Sequence, residues 1–375
     1  MDVNSPLPLL GGMTPAAFMR RHWQKAPLHL RAAWPAVAPP LSRAALFALA
    51  GSDDVESRLV RRAGAAWQVR HGPLPRRTLP ARHTPGWTLL VQGLDLHVRA
   101  AHEMLQRFRF MPDARLDDLM ISWASPGGGV GPHVDSYDVF LLQVQGHRRW
   151  LVAPPGDTAF IDDLPLKILR HFEPVQEWLL GPGDMLYLPP GWGHDGVAEG
   201  GDCMTCSVGF RAPSAGELAR ELLQRLAEDE AAPGTLYRDP RQAATATPGA
   251  IPLALQDFAR RAMGRQLAQP GWLARALGEV LTEPKPRVWF DASAQAPIHR
   301  GSALHLDAGT RMMYDAKHVF VNGEAFRARG RDAALMRQLA DQRQLPAADV
   351  RRLGRAAQSL VGEWAAAGWL HAKAP

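Results

Sequence analysis

Apolar and polar positions divide the chain into a helical opening, a strand-rich middle and a helical end. Thr14-Pro15 places a hydroxyl at an N-cap and proline at the first helical position, which predicts a helix to about Gln24. A second helix is predicted over Ser42 to Leu49, and a third over His97 to Phe110. Between them, Ser57 to Leu94 reads as short strand-like pieces separated by Pro and Gly. From Leu119 to Phe210 the period drops to two. Strands are predicted at Met120 to Ala124, Ser136 to Gln143, His147 to Val152, Asp184 to Leu188 and Met204 to Phe210. Gln145-Gly146 stands between two of them as a hairpin turn. Many short antiparallel strands with Gly/Pro turns predict a barrel or jelly roll.

The pattern then returns to helical spacing. Ser214-Ala-Gly-Glu217 is a capping box ahead of Leu218, Leu222 and Leu226. Helices are predicted over Ile251 to Leu267 and Trp272 to Leu281, and Thr282 to Pro286 reads as a linker. Beyond it come strands over Leu304 to Tyr314 and Val319 to Phe326, with Asn322-Gly323 as a turn. Helices over Asp332 to Ala340 and Ala347 to Ala367 complete a small, basic, winged-helix-like module. The expected organisation is therefore α+β. A β-barrel domain with N-terminal helices covers 1–212, a helical segment 213–285 and a winged-helix-like domain 286–375.

Bulk properties narrow the function classes. The 375 residues can hold two or three domains. No run approaches the roughly 18 apolar residues of a membrane span, and Met1-Asp-Val-Asn-Ser-Pro has no signal-peptide pattern. Two cysteines exclude a disulfide framework and fit a cytoplasmic protein. A net charge of +6 is compatible with RNA or ribosomal partners, though no long Lys/Arg block is present.

The candidate chemistry lies in Pro126-Gly-Gly-Gly-Val-Gly-Pro-His133-Val-Asp135. On a strand, residues two apart share a face, so an imidazole and a carboxylate project together. His194, after Pro182-Gly-Asp and Pro189-Pro-Gly-Trp-Gly, supplies a third donor. Two His and one carboxylate form the facial triad of non-haem Fe(II) oxygenases. His147 and His171 are weaker ligand candidates: His147 alternates with its neighbour Arg148 and points away, and His171 lies in a loop. Cys203-Met-Thr-Cys206 places its thiols on opposite faces of a strand and reads as two small apolar residues. The glycine run lacks the Lys-Ser/Thr of a phosphate loop.

These strings resemble the JmjC branch of the cupin, 2-oxoglutarate-dependent oxygenases. Gly129-Val-Gly-Pro-His-Val-Asp-Ser-Tyr-Asp-Val-Phe is similar, more narrowly, to the bacterial ribosomal oxygenases, as are Phe18-Met-Arg-Arg-His-Trp-Gln-Lys-Ala-Pro-Leu and Tyr187-Leu-Pro-Pro-Gly-Trp-Gly-His194. The resemblance covers the chain closely to about Pro213 and more loosely beyond. It implies a double-stranded β-helix catalytic domain, a helical dimerisation segment and a homodimer. It further implies Fe(II) as the metal, 2-oxoglutarate as co-substrate and O2 as oxidant. The expected target is an arginine of a large-subunit ribosomal protein. A histidine target is the close variant.

By alternation only one of Arg148 and Arg149 can face the barrel interior. Arg148, which also matches the family's Gly-x-Arg-Arg-Trp string, is expected to bind the far carboxylate of 2-oxoglutarate. Ser122 is a second candidate for that carboxylate. Tyr137, on the parity of His133 and Asp135, is expected to line the substrate site, and Asp138 to support the fold. The alternative from a different class is a non-catalytic metal-binding cupin whose winged helix binds nucleic acid. An intact triad together with Arg148 favours the enzyme.

Overall fold

In the computed structural model, residues 2–64, 66–228, 236–244, 247–292 and 302–373 are described. The chain divides into two compact units, Met1–Ala212 and Pro213–Pro375.

The first unit is built on nine strands: β1 (Leu28–Leu30), β2 (Ser57–Ala63), β3 (Ala66–His71), β4 (Trp87–Val91), β5 (Leu116–Ala124), β6 (Val139–Ala153), β7 (Gln176–Leu180), β8 (Met185–Leu188) and β9 (Gly193–Phe210). They pair antiparallel in the order β1-β8-β6-β9-β5-β4-β2-β3, with β7 also on β6. The long strands β6 and β9 run beside each other over most of their length. The first half of β6 pairs β8 and its second half pairs β7. This is the cupin-type jelly roll.

Three helices, α1 (Pro15–Arg21), α2 (Arg43–Leu49) and α3 (Arg99–Gln106), accompany the sheet. The Thr14 hydroxyl accepts from the Ala17 N–H at 3.1 Å, as the Thr-Pro signal requires. Phe18 of α1 is fully buried against Phe140 of β6 and Tyr187 of β8, at 5.4 and 4.9 Å between ring centroids. Asp138, also fully buried, accepts from the Tyr187 hydroxyl at 2.6 Å and the Gln24 side-chain amide at 3.0 Å. Its carboxylate thus ties the opening segment to the sheet.

Several local expectations are corrected. Gln145-Gly146 is not a turn. β6 runs through it as a bulge, where the register on β9 shifts. Gly146 takes φ +64, and a Cβ there would lie 2.3 Å from the Asp202 carbonyl oxygen. The Gln143 amide donates to the Gln145 and Gly146 carbonyls at the bulge. A glycine at positive φ suits either structure, so the local signal was ambiguous. The strand expected from Ser136 begins only at Val139, and His133 and Asp135 precede it. The third helix is shorter than its apolar pattern, ending at Gln106.

The second unit holds both the helical stretch and the strands that follow it. Its helices α4 (Ala215–Glu228), α5 (Leu253–Leu267) and α6 (Trp272–Thr282) lead to strands β10 (Ala303–Leu306), β11 (Met312–Tyr314), β12 (His318–Val321) and β13 (Glu324–Arg327). Then come α7 (Gly330–Gln342), β14 (Gln344–Leu345), α8 (Ala347–Val350), α9 (Arg355–Ala366) and β15 (Leu370–Lys373). The capping box forms: the Ser214 N–H donates to Glu217 at 2.9 Å, and the Glu217 N–H donates to the Ser214 hydroxyl at 3.1 Å. Gly278 of α6 packs so closely on the Phe320 ring that a Cβ would sit 2.3 Å from it. The helix and the β11–β13 meander therefore form one packed body. The strand expected over Leu304 to Tyr314 is two strands. Asp307 accepts from the Gly309 N–H at 2.9 Å and turns the chain between them. The final helix is likewise split, with Gly354 between its parts donating to Asp332 at 3.0 Å.

Candidate functional site

His133, Asp135 and His194 converge at the mouth of the jelly roll. One ligand atom from each lies within 4.8 Å of the others. They get there by different routes. His194 is the second residue of β9, and Trp192 and Pro189 ahead of it shape the bend that delivers it. His133 lies outside any strand but exchanges two backbone hydrogen bonds with His194, at 3.0 and 2.9 Å. Asp135 is fixed two residues later, its carbonyl accepting from the Gly191 N–H at 2.8 Å. The side-by-side placement inferred from strand alternation thus arises from one isolated bridge.

Both rings are oriented by backbone. The His133 Nδ1 faces the Gly131 carbonyl at 2.9 Å, and the His194 Nδ1 faces the Trp192 carbonyl at 3.0 Å. A carbonyl only accepts, so each Nδ1 carries a proton, and the neutral ring then has its lone pair on Nε2. The two ring centroids are 4.2 Å apart, and the His194 Nε2 is 3.6 Å from an Asp135 oxygen. Burial pushes the His194 imidazole down to about 4, His133 adds to this and Asp135 opposes it. His194 is therefore neutral at pH 7, the form that ligates a metal.

The triad opens on a cavity of about 560 Å³. Arg148, on β6, reaches into it and is only 5% exposed. Its Nη1 donates to the Ser122 hydroxyl on β5 at 3.1 Å, while its Nε and Nη2 are buried without a hydrogen-bond partner. The Trp150 ring lies 5.6 Å from the guanidinium and 5.9 Å from the His194 ring. A buried, half-satisfied guanidinium is costly unless an anion completes it. Arg149, on the opposite face, is paired with Glu199 at 2.6 Å and with Glu177.

Tyr137 lines the same cavity and is 40% exposed. Burial of its hydroxyl, then the charges of Asp135 and Asp118, raise its pKa. His147 and His171 are exposed and outside the cavity, and Cys203 and Cys206 are buried free thiols.

Sequence reasoning missed the far walls. Arg58, Thr88 and Gln92 come from β2, β4 and the residue after it, Asp117 and Asp118 from β5, and Lys167 from the loop after β6. Asp118 is buried and accepts from the Gln92 amide at 2.6 Å and the Gly93 N–H at 2.9 Å. No local motif marks these residues, because only strand order brings them together.

Comparison with known proteins agrees with this architecture. The JmjC domain family matches over residues 103–218 and the ROXA-like winged helix over 256–371. The ribosomal protein uL16 3-hydroxylase of Escherichia coli is 34% identical over 325 residues, covering 82% of this chain and 84% of the relative. A probable ribosomal oxygenase of Haemophilus influenzae is 37% identical over 214 residues, 55% of this chain and 52% of that one. The crystal structure of E. coli ycfD superposes with a TM-score of 0.85 at 31% identity, covering 96% of this chain and 98% of that one. A structure of the ribosomal oxygenase YcfD from E. coli in complex with cobalt and 2-oxoglutarate gives 0.78 at 30% identity, over 96% and 99%. By sequence along most of its length and by fold, the chain belongs to the JmjC-domain ribosomal oxygenases with a ROXA-like winged helix.

Proposed function

We propose that this chain is an Fe(II)- and 2-oxoglutarate-dependent dioxygenase that hydroxylates an arginine side chain of a large-subunit ribosomal protein of the uL16 kind. One observation carries the reading. Three metal-type donors and a buried arginine with two unpartnered nitrogens share a single cavity.

His133 and His194 would hold the ferrous ion through Nε2, and Asp135 through a carboxylate oxygen. Arg148, positioned by Ser122, would receive the far carboxylate of 2-oxoglutarate on its unpartnered nitrogens. Bound together, the ion and co-substrate supply the oxidising chemistry. One oxygen atom of O2 enters the substrate C–H bond as hydroxyl. The other enters succinate as carbon dioxide leaves. The protein's own part is to orient and to exclude water. Trp150 and the apolar walls Val139, Leu141 and Ile168 desolvate the region. Tyr137 at the mouth and Asp118 on the wall, beside Arg58 and Lys167, offer an aromatic face and a carboxylate to a substrate guanidinium, while Asp117 is held by Arg211 at 3.2 Å.

Two further assignments belong to this reading. Leu223, Leu253, Met263, Leu267 and Leu273 are exposed on α4, α5 and α6, an apolar surface that a second copy would cover in a homodimer. Free buried thiols suit the reducing cytoplasm, where ribosomal substrates reside. Among the described residues no helix is long and apolar enough to cross a membrane.

The test is reconstitution. Purified chain with Fe(II), 2-oxoglutarate and the uL16 protein is expected to form succinate and add one oxygen atom to an arginine, read by peptide mass spectrometry. Succinate formation with the oxygen on a histidine would correct the residue. Absence of both products would remove the enzyme assignment.

A further inference from the structure

Charge is spread unevenly along the chain. Residues 57–94 contain seven arginines, no lysine and no Asp or Glu. The other residues then hold 36 basic and 37 acidic side chains, so this stretch more than accounts for the chain's net charge of +6. In the fold it is the β2–β3 hairpin, the loop leading to β4, and β4 itself, with every arginine on the hairpin or the loop. Arg61, Arg62, Arg70, Arg76, Arg77 and Arg82 are all exposed.

Arginines elsewhere in the first unit commonly meet carboxylates, as in Arg43–Asp202, Arg109–Asp113, Arg170–Asp162 and Arg211–Asp117. Among the described residues, no carboxylate oxygen lies within 4.0 Å of any guanidinium in this stretch. Their contacts are with neutral groups. Arg62 donates to the Gly64 carbonyl at 3.2 Å and lies over the Trp67 ring at 5.4 Å, Arg70 reaches the Thr78 carbonyl at 3.3 Å, Arg76 lies over Phe47 at 5.3 Å, and Arg82 donates to the His83 ring at 3.0 Å.

Protection of the sheet edge does not account for them. β3 is an edge strand, and a charge there blocks pairing with another chain. Only Arg70 is on β3; Arg61 and Arg62 are on β2, and Arg76, Arg77 and Arg82 lie beyond the edge. Like charges held together without counterions cost free energy unless an anion neutralises them.

We propose that this hairpin and loop form an RNA-binding face that engages phosphodiester backbone. Guanidinium groups bind the oxygens of phosphate and of carboxylate in bidentate fashion, so residue type admits both and position favours RNA. Arg58 and Val60, on the same β2 strand, line the catalytic cavity. A ribosomal protein entering the cavity would bring attached RNA against this surface. That last link rests on the proposed substrate; the binding itself does not. The C-terminal strands and helices are basic as well, but their arginines are interspersed with acids and several are engaged. Arg343 donates to the Thr310 and Asp307 carbonyls, Arg337 to those of Asp315 and Ala316, and Arg352 pairs with Asp349.

The experiment titrates a fluorescently labelled RNA hairpin with the full chain, reading anisotropy between about 50 and about 200 mM salt. The wild-type chain is expected to bind with a steep salt dependence. Arg61→Gln/Arg70→Gln/Arg77→Gln is expected to weaken binding roughly tenfold or more at the lower salt and to flatten the slope by about two. Its 2-oxoglutarate affinity is expected to be unchanged, which separates loss of this surface from misfolding. The matched control, Arg331→Gln/Arg351→Gln/Arg355→Gln, is expected to bind as wild type. Absent wild-type binding, an unaffected hairpin variant, a control that loses binding, or displacement by polyglutamate as effective as that by RNA would each overturn the proposal. None of these outcomes bears on succinate formation, so the oxygenase reading stands or falls separately.

Discussion

His133→Ala is expected to abolish succinate formation from 2-oxoglutarate and to weaken ferrous-ion binding more than about a hundredfold. The magnitude follows from the donor count. Loss of a partner that merely orients a metal ligand typically costs 10- to 100-fold, and His133 is proposed as a ligand itself. Asp135 and His194 alone would leave a two-donor site. The ring is also preset: its Nδ1–H is held by the Gly131 carbonyl, so the Nε2 lone pair is aimed before any metal arrives. The backbone bridge to His194 does not depend on the side chain, so the fold is expected to survive. Calorimetric titration with a divalent metal and a succinate assay together check this. Undiminished turnover would take His133 out of the site.

Arg148→Ala is expected to weaken 2-oxoglutarate binding by roughly 150-fold, leaving metal affinity unchanged. Removing one partner of a buried, hydrogen-bonded charge pair costs about 2–5 kcal/mol, and about 3 kcal/mol corresponds to that factor. The arginine's situation in the fold sharpens the expectation. Two of its nitrogens are desolvated without a partner, a state that costs folding free energy until a carboxylate arrives. Saturating 2-oxoglutarate should therefore raise the melting temperature of the wild-type chain, by about 2.7 kcal/mol of stabilisation at a hundredfold excess over Kd. The Arg148→Ala chain should lose most of that rise. Equal co-substrate affinity in the two chains would reassign the anchor. Ser122→Ala is the milder relative, because Ser122 holds only Nη1.

Elements with local signals were legible in the sequence, and those fixed by distant pairing were not. The Thr14 cap, the Ser214 capping box and most of the period-two runs each rest on neighbours a few residues apart, and each forms. The first half of β9 escaped notice because Gly193-His-Asp-Gly carries no alternation; β6, pairing with it from Ala153 back to His147, makes it a strand. The Gln145-Gly146 bulge was mistaken for a turn for the same reason. Its geometry is set by the Gln143 side chain and by β9, neither of which a local reading weighs.

The site divides along the same line. His133, Asp135 and His194 stand in distinctive strings, and strand parity separated Arg148 from Arg149. Parity placed His133 beside Asp135 on an assumed strand; the fold uses a single bridge to His194 instead. Asp118 and Arg58 bear no local mark and became visible only when strand order put β5 and β2 on the cavity wall.

The most direct measurement is the anomalous-difference map of a crystal grown with cobalt and 2-oxoglutarate. The account predicts one peak bonded to the His133 Nε2, the His194 Nε2 and an Asp135 oxygen, with the far carboxylate of 2-oxoglutarate on Arg148. A peak on other donors, or a co-substrate carboxylate seated away from Arg148, would contradict it.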